Sequence, residues 1–221
     1  MKVLIGAVVK FISGVLLVGL LLFLPAGTFC YFNGWLLMGI LFVPMLAAGA
    51  VMLVKNPALL KSRLEAKEQQ QEQKLVVKLS GLMFLAGFIV AGLGVRFGWY
   101  TLPRQVSVAA AIVFLVSYLL YAEVLRENTY LSRTITVQED QKVIDTGLYG
   151  IVRHPMYSAT VLLFLAMPLV LGSPHSFLIF LAYPFLIAKR IKYEEAFLEK
   201  ELDGYRAYQQ TVRYRLIPFI W

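Results

Sequence analysis

The sequence predicts an all-α integral membrane protein, a bundle of about five to six transmembrane helices with a cytoplasmic C-terminal module. Of its 221 residues, 59% are hydrophobic and only 15% are charged, whereas an average soluble domain carries about 25% charged residues. Charge is absent from long stretches, of which residues 11–54 form the longest. These runs lack the period-two alternation of β-strands, and backbone groups in hydrocarbon must pair within their own segment, which leaves helices.

Six segments are candidate spans, because a spanning helix needs roughly 20 mainly apolar residues. The longest charge-free run holds two of them, separated at Leu24-Pro-Ala-Gly27. The last run divides at Gly172-Ser-Pro-His175 into two short halves that contain Pro168 and Pro184, and these form either two crossings or a tight hairpin. The predicted spans are residues 3–24, 31–54, 76–96, 104–124, 155–171 and 176–189.

The chain is expected to divide unevenly into two parts. Residues 1–124 are predicted to form a transmembrane scaffold of four helices, with a polar helical connection over 55–74. Residues 125–221 are predicted to form a separate module. It consists of a cytoplasmic loop, a helical hairpin over 155–189 and an amphipathic C-terminal helix.

Positive charge predicts that both termini and the C-terminal module are cytoplasmic. With six spans, one side of the membrane receives 19 of the 21 Lys and Arg residues, and the other receives only Arg96 and Arg104. Lys and Arg concentrate in cytoplasmic loops. We expect a multi-pass protein of the plasma membrane in a prokaryote or of the endoplasmic reticulum in a eukaryote. The bias accounts for the net charge of +8, and no basic stripe on a recognition fold indicates nucleic-acid binding.

The first motif with chemical potential is Arg153-His154-Pro155-Met156-Tyr157, where the cytoplasmic loop meets the fifth predicted span. Pro155 suits the first turn of a helix, because its missing N–H needs no partner there. Arg153 and His154 are then expected at the positive end of that helix, which favours an anion. The alternative is an interfacial arginine anchor followed by a tyrosine of the aromatic belt.

The second motif follows the last predicted span. Arg190 and Glu194 are separated by four positions, so a continuous helix places them on one face. Arg190 offers a planar donor fork for a carboxylate, and Glu194 offers an acceptor for a cation. The alternative is an exposed ion pair. Apolar residues then recur at helical spacing and predict the amphipathic helix: Phe197, Leu198, Leu202, Tyr205, Tyr208 and Val212.

These residues indicate a cytoplasm-facing site at the membrane surface, with anion-binding and cation-binding groups beside apolar spans. A lipid-like substrate would enter sideways, while a polar cosubstrate would arrive from the cytoplasm. The lone Cys30 and the two histidines exclude a Cys/His zinc site, and we expect no metal. The residues alone leave the reaction open.

Several motifs in one order resemble the isoprenylcysteine carboxyl methyltransferase family, which is related to the phospholipid methyltransferases. They are the run from Gly147 to Tyr157, Arg190-Ile-Lys-Tyr-Glu-Glu195, Tyr205-Arg-Ala-Tyr208 and Arg213-Tyr-Arg-Leu-Ile-Pro218. The resemblance covers residues 125–221. It implies a membrane enzyme that binds S-adenosylmethionine as cosubstrate on the cytoplasmic side. The matching positions for that cosubstrate are Gln141, Lys142, Val143, Ile144, Tyr149, His154, Pro155, Met156, Tyr157 and Glu194, with Glu195 as the alternative to Glu194.

The resemblance also implies that Arg190 binds the acceptor, and that Arg190 and Glu194 are the catalytic residues. The implied acceptor is the carboxylate of an isoprenylcysteine, or a similar lipid-like or prenylated molecule or protein in the membrane. A carboxylate is already a nucleophile, so the enzyme needs chiefly to align it with the methyl group, which is worth roughly 7–11 kcal/mol.

Three alternatives stay open beside this reading. The first is a phospholipid or amine N-methyltransferase, which would need a base, and the candidates are Glu194, Glu195 and His154. The second is an NADPH-dependent membrane reductase, because sterol reductases share a similar Arg-His-Pro-x-Tyr segment. The third is a non-catalytic membrane protein that retains the fold.

Overall fold

The computed structural model describes residues 2–55, 57, 60–61, 64, 71–128, 130, 137 and 141–221. Most of the predicted polar connection over 55–74 and most of the loop over 129–140 therefore lie outside the described residues. Within the described part, the chain is helical and contains no strands. This agrees with the predicted all-α class.

Four long helices form the N-terminal part: α1 (Lys2–Ala26), α2 (Phe32–Lys55), α3 (Gln71–Arg96) and α4 (Arg104–Glu127). Each contains a stretch long and apolar enough to cross a membrane. The first four predicted spans are therefore confirmed. The outward surfaces of these helices are apolar, as lipid contact requires; Leu16 and Leu119, for example, are 66% and 71% exposed.

The C-terminal part consists of a short 3₁₀ helix (Gly147–Gly150) and four α-helices: α5 (Pro155–Val170), α6 (Pro174–Phe180), α7 (Ala182–Glu201) and α8 (Tyr205–Thr211). As predicted, Pro155 occupies the first turn of α5. Helix α5 has 16 residues, which gives a length of about 24 Å, less than the roughly 30 Å of a bilayer core.

Two expectations for this region differ from the structure. The predicted span 176–189 is not one helix, because Pro184 cannot donate to the carbonyl of Phe180, where α6 ends. Four of the described helices therefore qualify as full spans, rather than five or six. The predicted amphipathic helix is also divided, because Gly204 adopts a left-handed conformation (φ 82°) between α7 and α8.

Close helix packing joins the two parts of the chain. Helix α4 packs along α5, and α3 contacts α1, α6 and α7. A Cβ atom at Gly87 would overlap the ring of Phe180, and one at Gly92 would overlap the carbonyl oxygen of Leu22. The small residues thus let α6 and α1 approach α3, as is common in membrane bundles. The bundle positions the start of α5 beside the end of α4, where the candidate site lies.

Candidate active site

The segment that precedes α5 is fixed by the C-terminal tail. The backbone N–H groups of Arg153 and His154 donate to the carbonyls of Tyr214 (2.8 Å) and Arg215 (2.9 Å). The Ser158 hydroxyl donates to the carbonyl of Leu216 at 2.6 Å. Pro155, the first residue of α5, has no N–H group that needs a partner. The tail instead accepts from the N–H groups of the two residues just before it. The Arg-His-Pro segment is therefore held on both sides, by α5 and by the tail.

Glu195 lies at the centre of a buried ionic network with Arg153, His154 and Arg215, which we call the Glu195 network. Its carboxylate accepts from Arg153 Nε and Arg215 Nε, each at 2.7 Å, and lies 3.3 Å from His154 Nε2. Burial opposes ionisation, but the hydrogen bonds with His154 and Arg153 outweigh it and lower the pKa of Glu195 to about 2. Glu195 is therefore ionised at neutral pH, and it holds the segment, α7 and the tail together.

Arg153 differs from its predicted role in anion binding. Its Nη1 also donates to the carbonyls of Val212 (2.7 Å) and Arg213 (2.9 Å), and its side chain is 6% exposed. With Nε bonded to Glu195, three of the five guanidinium N–H groups have protein acceptors. The residue therefore cross-links the loop to the tail.

Arg190 and Glu194 meet at one hydroxyl group. Tyr157 donates from its hydroxyl to Glu194 Oε2 at 2.5 Å and accepts from Arg190 Nε at 2.8 Å. The Arg190 guanidinium also lies 5.9 Å from the centroid of the Tyr157 ring. The two residues of the second motif are therefore coupled through the last residue of the first motif, in addition to sharing one face of α7.

Tyr149 is positioned by the end of α4. Asn128 Nδ2 donates to its hydroxyl at 3.0 Å, and its own carbonyl accepts from the Tyr208 hydroxyl at 2.7 Å. Burial raises the pKa of Tyr149 to about 12, despite the hydrogen bond from Asn128. Glu127, at the end of α4, also holds the start of the 3₁₀ helix that carries Tyr149. Its carboxylate accepts from Thr146 Oγ1 (3.1 Å) and from the N–H of Leu148 (3.0 Å).

These elements enclose a cavity of about 770 Å³, counting the open space at its mouth. Nine of the predicted cosubstrate positions line it: Gln141, Lys142, Val143, Ile144, Tyr149, His154, Met156, Tyr157 and Glu194. Pro155 does not line it and instead starts α5, and Arg190 reaches it through the Tyr157 hydroxyl. Arg153, a candidate from the first motif, also lines the cavity, and six further lining residues were not predicted as site residues: Asn128, Tyr130, Leu198, Leu202, Tyr205 and Tyr208.

The neighbouring acidic residues of α7 have different surroundings. Glu194 lines the cavity, whereas Glu195 is 3% exposed and bonded on both oxygens. Only Glu194 of the two therefore faces a ligand in the cavity. Its carboxylate can attract a cation, and the apolar wall formed by Val143, Leu198 and Leu202 can contact an uncharged ring.

Comparison with known proteins finds one family that is similar to part of this chain. Residues 104–203 match the phospholipid methyltransferase family. The matched segment begins with α4, ends just beyond α7 and is somewhat less than half of the chain. No curated protein matches the chain.

The chain thus has four helices long and apolar enough to cross a membrane, and its segment 104–203 is similar to the phospholipid methyltransferases. The match is to phospholipid methyltransferases and not to the related isoprenylcysteine carboxyl methyltransferases, which the motifs resembled.

Proposed function

We propose that this protein is an S-adenosylmethionine-dependent methyltransferase that methylates the amine headgroup of a phospholipid-type acceptor at the membrane surface. The observation that carries the proposal is the Arg190–Tyr157–Glu194 arrangement, in which a cation and an anion are linked by one hydroxyl beside the cavity. Such an arrangement can bind two oppositely charged groups next to each other, here the sulfonium of the cosubstrate and the phosphate of the lipid headgroup.

The cavity residues fit the cosubstrate by chemistry. When bound, S-adenosylmethionine supplies a methyl group activated by a positively charged sulfur. Glu194 would attract the cationic part, and the Tyr149 and Tyr157 rings would exclude water from it. Val143, Leu198 and Leu202 would contact the nucleobase. Transfer from a sulfonium needs no Lewis acid, so the proposal includes no metal.

Arg190 is proposed to bind the acceptor. A guanidinium can hold the phosphate of a lipid headgroup as a fork. Arg190 lies on α7 beyond the apolar part of the bundle, where a lipid headgroup can reach it while the acyl chains stay in the membrane. An aligned acceptor is worth roughly 7–11 kcal/mol of the barrier, so positioning is the main contribution of these residues.

An ammonium headgroup must lose a proton before it can attack a methyl group. Glu195 is unsuited to accept that proton, because its pKa is about 2 and both oxygens are bonded to arginines. Glu194 and His154 both line the cavity and remain the candidates. We favour Glu194, since the Nε2 atom of His154 faces the Glu195 carboxylate.

A carboxylate acceptor, such as an isoprenylcysteine, is the second candidate. Arg190 favours it, because a planar guanidinium suits a carboxylate as well as a phosphate, and no base is then needed. The family match favours the phospholipid-type acceptor. Both acceptors use the same cosubstrate and the same two charged residues.

The test uses the purified full chain in detergent. Titration calorimetry with S-adenosylmethionine and, separately, NADPH should detect binding of the former only; binding of NADPH alone would indicate a reductase. Methyl transfer to phosphatidylethanolamine is then compared with transfer to a prenylcysteine analogue. Activity on the prenylcysteine analogue alone would reverse our choice of acceptor. Failure to bind either S-adenosylmethionine or NADPH would refute the proposal that the protein is a methyltransferase.

Two variants test which molecule each of the two charged residues binds. Arg190→Ala should abolish methyl transfer and leave S-adenosylmethionine affinity within a few fold, whereas Glu194→Gln should weaken that affinity. The matched control is Glu199→Gln on the same helix, because Glu199 bonds the Gln209 side chain at the surface and is not a cavity residue. Full activity of Arg190→Ala on both acceptors would contradict the assignment of Arg190.

A further inference from the structure

Tyr205 carries a buried hydroxyl group that has no hydrogen-bond partner in the described part of the chain. The residue is the first of α8, it is 4% exposed, and it lines the cavity. Burying a hydroxyl without a partner destabilises a fold. Phenylalanine would fill the same space without that penalty, so the hydroxyl needs an explanation outside the folding of the chain.

The neighbouring tyrosine provides an internal comparison. Tyr208 lies one turn further along α8 and its ring packs 5.8 Å from that of Tyr205. It lines the same cavity, but its hydroxyl donates to the carbonyl of Tyr149 at 2.7 Å. One hydroxyl of the pair therefore bonds to the protein, while the other has no partner in the described part of the chain.

The surroundings of Tyr205 indicate which part of a ligand lies beside it. Tyr205 packs in an apolar cluster with Leu202, Val143 and Leu198, all of which line the cavity. Apolar side chains suit the two faces of a flat ring, and a single hydroxyl suits its polar edge. Of the parts of an adenosyl cosubstrate, only the nucleobase combines apolar faces with a hydrogen-bonding edge. The charged amino-acid part fits the Glu194 side of the cavity better.

We propose that the Tyr205 hydroxyl forms a hydrogen bond with the edge of the adenine ring and so helps to select an adenosyl cosubstrate. This inference rests on the proposed function, because it assumes that an adenosyl compound occupies the cavity. A hydroxyl both donates and accepts, so an edge nitrogen of the ring or its exocyclic amino group can be the partner.

The experiment measures binding, using S-adenosylhomocysteine and four analogues. Three analogues replace N1, N3 or N7 of the ring by a CH group, and the fourth lacks the amino group. The wild-type protein, Tyr205→Phe and the matched control Tyr208→Phe are titrated with each compound in detergent. Failure of the wild-type protein to bind S-adenosylhomocysteine would refute the proposed function itself.

Given binding by the wild-type protein, Tyr205→Phe should weaken S-adenosylhomocysteine affinity by about fivefold, the effect of one buried hydrogen bond. One analogue should bind the wild-type protein correspondingly less well, and Tyr205→Phe should bind that analogue and the parent compound within twofold of each other. In Tyr208→Phe the ratio of the affinities for S-adenosylhomocysteine and for that analogue should stay as in the wild type, even if both affinities change. A role in packing alone would lower all affinities together, and that result, or an unchanged affinity of Tyr205→Phe, would overturn the proposal.

A second readout is independent of the ligand. Removing an unpaired buried hydroxyl should leave the melting temperature of the ligand-free protein unchanged or raise it by about 2 °C. Tyr208→Phe should lower it, because the Tyr149 carbonyl loses its donor. Destabilisation of ligand-free Tyr205→Phe would show that its hydroxyl has a structural partner and would also contradict the inference.

Discussion

Replacing Glu195 by glutamine is expected to destabilise the protein strongly. The change leaves Arg153 and Arg215 without their shared counter-charge and offers Arg215 or Arg153 an amide N–H₂ group in place of an oxygen. Removing one partner of a buried ion pair costs about 3–5 kcal/mol. The pKa gives a second measure: a drop from 4.5 to about 2 corresponds to about 3 kcal/mol. The two estimates agree on about 3 kcal/mol.

Thermal unfolding in detergent, followed by tryptophan fluorescence and circular dichroism, measures this effect. For a chain of this size, about 3 kcal/mol should lower the melting temperature by about 6–12 °C. Glu199→Gln serves as the control, because it removes the same charge from the exposed part of α7. Its melting temperature should stay within about 2 °C of the wild type, since surface interactions contribute little.

Acid provides a further check on Glu195. The pKa of this carboxyl is lower in the folded protein than in the unfolded chain, so its stabilising effect is complete above about pH 4.5 and is lost as the pH falls toward 2. The difference in stability between the wild type and Glu195→Gln should therefore shrink over that interval. A melting temperature of Glu195→Gln within 2 °C of the wild type at pH 7, or a difference that does not change with acid, would refute the reasoning.

Three further predictions concern the loop, the cosubstrate and the topology. Gly147→Ala should lower the melting temperature by several degrees, because φ there is +50° and a Cβ would overlap the Glu127 carboxylate; an unchanged value would contradict this. His154→Ala should weaken S-adenosylmethionine binding by about tenfold, or 1.4 kcal/mol, with helical content retained, and unchanged calorimetric affinity would leave the residue a purely structural role. In a background in which the exposed Cys30 is replaced by serine, cysteine labelling of intact cells should mark Thr101→Cys but not Gln141→Cys, if both termini are cytoplasmic. Labelling of Gln141→Cys alone would reverse that orientation, and labelling of both would refute it.

The long helices were predictable, whereas the shape of the hairpin was not. Helices α1 to α4 follow from apolar runs that exceed the thickness of a bilayer, a signal that needs no tertiary information. The proline-containing segments near 155–189 were too short for length to decide, and the structure ends α6 at Phe180, four residues before Pro184. Hydropathy alone counts apolar residues and cannot position such a break.

The candidate site was predictable as a set of positions but not as a set of contacts. Glu194 and Glu195 are adjacent, and neighbours on a helix point about 100° apart, so which one faces the cavity depends on how α7 packs. Arg153 looked like an anion-binding residue because its partner, Glu195, is 42 positions away. Tyr205 looked like part of an apolar stripe, and only the tertiary structure reveals its unpaired hydroxyl.

The pairing of the tail with the start of α5 has a consequence for biogenesis. As the chain leaves the ribosome, Arg153 emerges first, Glu195 follows, and Arg215 is made last. The carbonyls of Tyr214 and Arg215 that receive the N–H groups before α5 also come from this final stretch. The membrane helices can therefore insert in sequence, while Glu195 receives its second arginine, and the N–H groups before α5 receive their acceptors, only once synthesis has passed residue 215. The candidate site is therefore completed as a late event, after the membrane helices have inserted.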